Sequence, residues 1–260
     1  MKTLITGATG LLGGHLVRAA TDVGCDIRIM SRRPRPQTTP PNLEWAQADI
    51  ASGDGVLAAI DQVDAVLHAA SDPRNAEAVD VEGTRRLVEA AHSAGITHIA
   101  YISIVGIDDI PLGYYKRKRM AEEIITSSGV PHTILRVTQF HSFVEMLVAA
   151  AARFPLLMPL PTDFKYQSVA DSEAAARFVQ CLADGPRGRV ADFGGPDVLT
   201  FGEIAEMWMS AKNQRKRLVH LPLPGKIAAG FRAGKNTTQD GEHGVIRWHE
   251  WLTEHNGHVT

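Results

Sequence analysis

Lys2-Thr3-Leu4-Ile5-Thr6-Gly7-Ala8-Thr9-Gly10-Leu11-Leu12-Gly13 decides the fold of this chain. The first five residues form a short β-prone run, and the rest reads G-x-x-G-x-x-G. A strand that ends at Gly7 and hands over to a helix around Gly10 turns tightly, with no side chain in the way. Backbone N–H groups of Thr9, Gly10, Leu11 and Leu12 then lie at the helix start, where they suit a pyrophosphate. Gly13 lets the helix pack closely on the sheet. Glycine triplets also serve ordinary turns. The context separates the two readings, because a strand precedes this triplet and an apolar helical pattern follows it.

Working outward, strand and helix alternate. Strands are expected at Leu4–Thr6, Asp26–Ser31, Leu43–Trp45, Ala65–His68, His98–Ser103 and His132–Arg136, with helical spacing at 11–23, 53–61, 75–94, 114–128 and 140–152. Short apolar strands separated by amphipathic helices imply parallel pairing through right-handed crossovers. The expected fold is α/β, a Rossmann-type doubly wound parallel sheet with helices on both faces and a small C-terminal substrate region. The dinucleotide-binding core is assigned to 1–136, completed by 164–194, and the smaller substrate-binding and lid region to 137–163 and 195–260. Pro155, Pro159 and Pro161 keep the apolar segment after residue 152 from forming one helix. Beyond it we expect a helix at Asp171–Leu182 capped by Asp171, a strand at Val190–Phe193, and a helix at Thr200–Ser210. Thr200 and Glu203 of that last helix form a capping box. Residues 222–260 show little strand character and end in a Trp248/Trp251/Leu252 stripe.

The 260 residues carry a formal charge of -2, which gives no bulk attraction to nucleic acid or an anionic membrane. Two cysteines, Cys25 and Cys181, are too few for a disulfide framework. Eleven histidines include no His-x-x-x-His pair, so no metal is expected. No apolar run is long enough to span a bilayer. A strand at the first residues leaves no stretch for a leader, so a cytoplasmic location with a small-molecule partner is expected. Nothing here fixes an oligomeric state.

Ser31-Arg32-Arg33 closes the second strand, where an acidic residue would accept the adenine ribose hydroxyls. Two guanidiniums there suit a 2′-phosphate instead, so NADP(H) is expected over NAD(H). A solvated basic loop is the plainer alternative. Asp49 and Ile50 follow the third strand, where a carboxylate can accept the adenine amino group and Ile50 can pack on the ring; Asp49 could equally cap a helix. Ala69, Ala70 and Ser71 are small and let backbone approach the cofactor, while His68 is expected to be packed at the strand end.

Tyr114 and Lys118 are four apart, one turn apart on the same helix face. A phenol is a poor acid–base group at neutral pH, and a nearby ammonium lowers its pKa toward the range useful for protonating a carbonyl. Lys118 can also bind the nicotinamide ribose. Tyr115 and Arg119 have the same spacing and compete for the role.

With these residues in place the chain resembles the atypical short-chain dehydrogenase/reductase superfamily, through Gly7–Gly13, His68-Ala69-Ala70 and Tyr114-x-x-x-Lys118-x-x-Ala121-Glu122. The run Ser127–Phe140 narrows the resemblance to the NmrA-like NAD(P)H-binding group, whose members are often catalogued loosely as nucleoside-diphosphate-sugar epimerases. The resemblance implies Tyr114 as general acid, Lys118 as ribose-binding lysine and Ser103 as third catalytic member. It also implies cofactor contacts at Val137 and Phe140 and substrate contacts at Phe140 and His141, although packing for Phe140 and a surface position for His141 are the plainer readings. Two departures stand out. Ser103 is followed by Ile104 and Val105, which places the hydroxyl early, and Asp80 stands where the Asn-x-x-Gly-Thr signature has Asn. The activity expected is NAD(P)H-dependent hydride transfer to a carbonyl, quinone-like or enone substrate. A non-catalytic redox sensor acting on a protein partner, and an epimerase-like isomerase, are the alternatives. Apolar segments 154–161 and 222–231 are candidate lids.

Overall fold

The structure, a computed structural model, describes residues 1–40 and 43–256; residues 257–260 of the expected substrate region lie outside them. In chain order the main elements are β1 (Lys2–Thr6), α1 (Gly13–Asp22), β2 (Asp26–Ser31), β3 (Glu44–Gln47), α2 (Val56–Ile60), β4 (Ala65–His68), a π-helical stretch (Glu77–Glu82) that runs into α3 (Gly83–Ala94), β5 (His98–Ile104), α4 (Gly113–Ser127) and β6 (His132–Val137). They continue with α5 (His141–Ala151), β7 (Leu157–Leu160), α6 (Asp171–Ala183), α7 (Phe201–Ala211), α8 (Lys226–Arg232) and α9 (Trp248–Asn256). Among the described residues no helix is long and apolar enough to cross a membrane.

Strands run in the order β3-β2-β1-β4-β5-β6. β1 pairs in parallel with β2 on one side and with β4 on the other, while β2–β3 and β4–β5 are also parallel. The chain therefore moves outward from β1 to β3, returns past β1 and builds β4 to β6 on the far side. That is the doubly wound topology, and its order reverses between β1 and β4. Register levels Thr6 with both Met30 and His68, and His68 with Tyr101, so the residues that follow Thr6 and His68 emerge together at one edge.

The chain divides into two compact units. The first holds Met1–Ser103, Gly113–Arg136 and Ala175–Val190, and the second Ile104–Leu112, Val137–Ala174 and Ala191–Thr260. Residues 164–174 and 191–194, expected with the dinucleotide core, group with the second unit. Their polar and ladder partners explain this: Asp171 binds Ser142, Val169 pairs with Phe140, and Phe193 pairs with Val137. The expected strand at Val190–Phe193 is replaced by two shorter pairings, Gly188–Arg189 with β6 and Phe193–Gly194 with Glu242–His243. Asp171 does not cap its own helix. Its carboxylate accepts from the backbone N–H and hydroxyl of Ser142 in the first turn of α5. The Thr200–Glu203 capping box is present as expected.

Each unit has its own core. In the first, Leu4, Val66, Ile99 and Tyr101 of the sheet meet Leu87, Ala91, Ala121 and Ile125 of α3 and α4. Each such side chain, removed from water, contributes about 1.5–3 kcal/mol for the larger aliphatics. In the second, Trp248 and Trp251 stack at 5.5 Å and join Phe164, Phe201 and Trp208. The apolar 154–161 segment contributes β7, which pairs in parallel with Arg217–His220.

Candidate cofactor and active site

The glycine turn separates what the fold needs from what a ligand needs. Gly7 has φ of +73°, and a Cβ there would lie 2.5 Å from the Ala69 carbonyl oxygen. A Cβ on Gly13 would overlap the Ala8 carbonyl. Both glycines are thus required by the chain's own packing. Gly10 differs: it is exposed, and a Cβ would meet only the Gly7 oxygen at 3.2 Å. No side chain caps α1, so its opening amides are left to backbone turns or an incoming acceptor. Thr9 and Leu11 beside Gly10 are exposed, while Leu12 is buried. A bare glycine surface before an uncapped helix fits a phosphate group.

A buried hydroxyl and imidazole chain, invisible in the motif, fixes this turn. Thr6 Oγ1 accepts the N–H groups of Ala69 and Ala70, both at 3.1 Å, and lies 2.8 Å from His68 Nδ1. His68 Nε2 lies 3.0 Å from Thr84 Oγ1, which donates to the Asp80 carbonyl. Thr6 therefore gives its proton to Nδ1, and Nε2 carries the imidazole proton. Burial pushes the His68 pKa down to about 3, with the Lys118 charge adding to the effect, so the ring stays neutral. The packed role expected for His68 is what the structure shows. The amides of Ala69 and Ala70 are committed to Thr6, and only their position, close against Gly7, bears on a cofactor.

After β2, Ser31 is buried and its hydroxyl accepts the Arg33 N–H. Trp45 Nε1 donates to the Arg33 carbonyl and Gln47 Nε2 to the Arg32 carbonyl. The backbone is pinned at three points while both guanidiniums remain exposed. Asp49 Oδ1 accepts the Ala51 N–H in a local turn rather than capping a helix, and Ile50 is buried against Gly83.

Tyr114 and Lys118 lie in α4, as their spacing requires, but they do not bond each other. Lys118 is buried; its Nζ donates to the Ile102 carbonyl at 3.0 Å, lies 3.8 Å from Asp80 Oδ1 and sits 4.2 Å from the centre of the Tyr101 ring. Burial pushes its pKa down to about 8, opposed by the charges of Asp80 and Glu122. The half-buried Tyr114 hydroxyl lies 2.7 Å from Ser71 Oγ, which donates to Asp80 Oδ1 at 2.6 Å. The other oxygen, Oδ2, accepts the Asp72 N–H at 3.2 Å.

The expectation that Lys118 acidifies Tyr114 is corrected by this geometry. The Tyr114 pKa is raised, by burial first and the Asp80 carboxylate second. The ammonium donates to the Ile102 carbonyl and lies over the Tyr101 face rather than bonding Tyr114. Ser103 is buried in β5, and its hydroxyl has no partner among the described residues. The hydroxyl that touches Tyr114 is that of Ser71, whose side-chain role the sequence reading missed. The competitor pair splits, with Tyr115 buried and Arg119 exposed.

In the second unit, Val137 ends β6 in the core and Phe140 caps α5 with extended backbone. His141 is not at the surface. It is fully buried against both Trp248 and Trp251, with Nδ1 2.9 Å from Ser168 Oγ and Nε2 3.2 Å from the Ile246 carbonyl. Burial pushes its pKa down to about 4, and both nitrogens are engaged within the protein.

A parallel sheet that reverses at β1, with a bare glycine turn and an uncapped helix at the switch point, defines a Rossmann-type NAD(P)-binding protein. A family model described as NAD(P)H-binding matches residues 7–184, and the chain belongs to that family. The motif resemblance holds at that level. A ceramide reductase of Caulobacter vibrioides is 29% identical over 244 residues, 87% of this chain and 75% of that protein. A photosystem II assembly factor of Guillardia theta is 30% identical over 241 residues, 86% of this chain and 74% of that protein. Among solved structures, the NADPH complex of an NADPH-dependent quinone oxidoreductase from Escherichia coli shares the fold with a TM-score of 0.82. That match covers 97% of this chain and 99% of the other at 20% identity.

Proposed function

We propose that the chain is an NAD(P)H-dependent oxidoreductase acting on a small or medium carbonyl, quinone-like or enone compound, with NADP(H) preferred. The observation that carries this reading is the half-buried Tyr114 phenol in hydrogen-bond contact with Ser71 and one helical turn from the buried Lys118. Gly10 and the opening of α1 would hold the pyrophosphate, and Arg32 and Arg33 the 2′-phosphate. Lys118 would hold the ribose. The bound cofactor supplies hydride. Tyr114 hands a proton to the substrate oxygen, and the burial and the Asp80 charge that raise its pKa keep it protonated until then. The named activities of the ceramide reductase and the quinone oxidoreductase are consistent with this class.

Turnover of NADPH against a panel of aliphatic ketones, enones and quinones tests the reading. Tyr114→Phe should lower kcat/KM by more than about tenfold, equivalent to about 1.4 kcal/mol, and leave cofactor affinity unchanged. Unchanged turnover in that variant removes Tyr114 as the acid. A second reading, a cofactor-binding redox sensor, draws on the buried Ser103 hydroxyl, which has no partner among the described residues, and on the assembly-factor relative. It requires different affinities for oxidised and reduced cofactor with no turnover on the whole panel.

A further inference from the structure

Three residues from separate segments form one directed hydrogen-bond chain. Asp80 opens no route of its own to a ligand: its side chain is buried, Oδ2 holds the Asp72 N–H, and Oδ1 takes the Ser71 proton. A serine hydroxyl has one proton. Since that proton lies toward Asp80, the 2.7 Å contact between Ser71 Oγ and Tyr114 is made with the tyrosine proton. The Tyr114 proton is thus directed away from the ligand side and toward Ser71.

We propose that Asp80, acting through Ser71, sets which way the Tyr114 hydroxyl points. With Asp80 as a carboxylate, Tyr114 presents oxygen lone pairs to a ligand and acts as an acceptor. To donate to a substrate oxygen the Tyr114 O–H turns outward from Ser71; Tyr114 gives its proton, and the phenolate left behind takes one from solvent before the next turnover. Ser71 and Asp80 are positioning residues, and Tyr114 alone touches the substrate. The inference deepens the proposed function and rests on it for the catalytic consequence, while the wiring stands on the geometry.

Replacing Asp80 by Asn reverses the chain without changing its shape. The Asp72 N–H needs an acceptor, which fixes the amide oxygen on that side and turns the amide N–H₂ toward Ser71. The serine proton is then free for Tyr114. The groups around position 80 are otherwise Lys118 from α4, the Tyr101 ring of β5, and Asp72 and Ser71 of the loop after β4.

The test needs no substrate. The full chain is produced with 3-fluorotyrosine, whose more acidic phenol titrates while the protein stays folded. Fluorine NMR follows its ionisation, and Tyr114→Phe identifies the signal among the four tyrosines. Asp80→Asn should raise the acid dissociation constant of Tyr114 at least about tenfold, through loss of the carboxylate charge and the gain of a Ser71 donor. Adding Ser71→Ala should remove most of that gain, whereas Ser71→Ala alone should change Tyr114 less than about threefold, because in the native chain the serine proton is held by Asp80. An Asp80→Asn effect of equal size with and without Ser71 would overturn the wiring, as would a tenfold loss of acidity in Ser71→Ala alone. If circular dichroism shows Asp80→Asn unfolded, the single Ser71→Ala measurement decides. Absence of turnover would count against the oxidoreductase reading and leave these titrations intact.

Discussion

Arg32 and Arg33 offer a quantitative test of cofactor choice. Their backbone is held by Ser31, Trp45 and Gln47, so replacing either side chain by alanine leaves the loop in place. Neither guanidinium has an ion-pair partner among the described acidic residues, so truncation strands no buried charge. A charge-assisted hydrogen bond is worth about 1.5–3 kcal/mol. Both side chains are exposed, which moves the expectation to the lower end, about 1.4 kcal/mol or tenfold for each. The pair together should give NADPH an advantage of about tenfold to a hundredfold over NADH, and the Arg32→Ala/Arg33→Ala double variant should abolish it. Calorimetric titration with NADP⁺, NADPH, NAD⁺ and NADH measures this directly. Near 0.1 M salt the Debye length is about 10 Å, so raising the salt should shrink the advantage for the phosphorylated forms and leave NADH binding nearly unchanged. Equal affinities of the native chain for NADPH and NADH, or single variants that keep the native ratio, would refute the phosphate assignment.

The glycine turn makes a paired prediction: Gly13→Ala should cost at least about 2 kcal/mol of stability in urea melts because a Cβ there overlaps Ala8. Gly10→Ala should fold and melt as the native chain does yet lose cofactor binding, and retained affinity would show that no ligand reaches that surface. Burial holds the Lys118 pKa near 8 against an ordinary 10.5, so above pH 8 the unfolded chain carries a proton the folded chain lacks. Unfolding free energy should therefore rise with pH between about 8 and 10, by up to about 3 kcal/mol, before the raised pKa values of Tyr101 and Tyr114 reverse the trend. Lys118→Met should flatten that rise, and a flat profile in the native chain would contradict the assigned burial. Glu122 and Arg136 form a buried two-point ion pair at 2.8 and 2.6 Å, so Glu122→Leu should cost about 3–5 kcal/mol in a urea melt and Glu122→Leu/Arg136→Leu should recover part of it.

The sequence alone determined the architecture and the NAD(P)H-binding family. Alternating short apolar strands and amphipathic helices admit few topologies, and parallel strands joined by crossover helices admit fewer still. The Gly7–Gly13 turn was legible because backbone geometry, not long-range contact, dictates which residues it tolerates. The Thr200–Glu203 capping box was legible for the same reason, since both partners lie within one helical turn. What the tertiary structure decided concerns groups far apart in the chain. Tyr114 and Lys118 share a helix face at the spacing that was read, but the register of β4 against β5 and the packing of α4 turned the ammonium to Ile102 and the phenol to Ser71. Sheet packing buried Ser103, and contacts within the second unit enclosed His141 among Trp248, Trp251 and Ser168. A pKa, a hydrogen-bond direction and a buried imidazole each depend on distances between residues tens of positions apart, to within a fraction of an ångström. Local propensity carries no term for such distances, so hydroxyl and carboxylate roles moved while the fold did not.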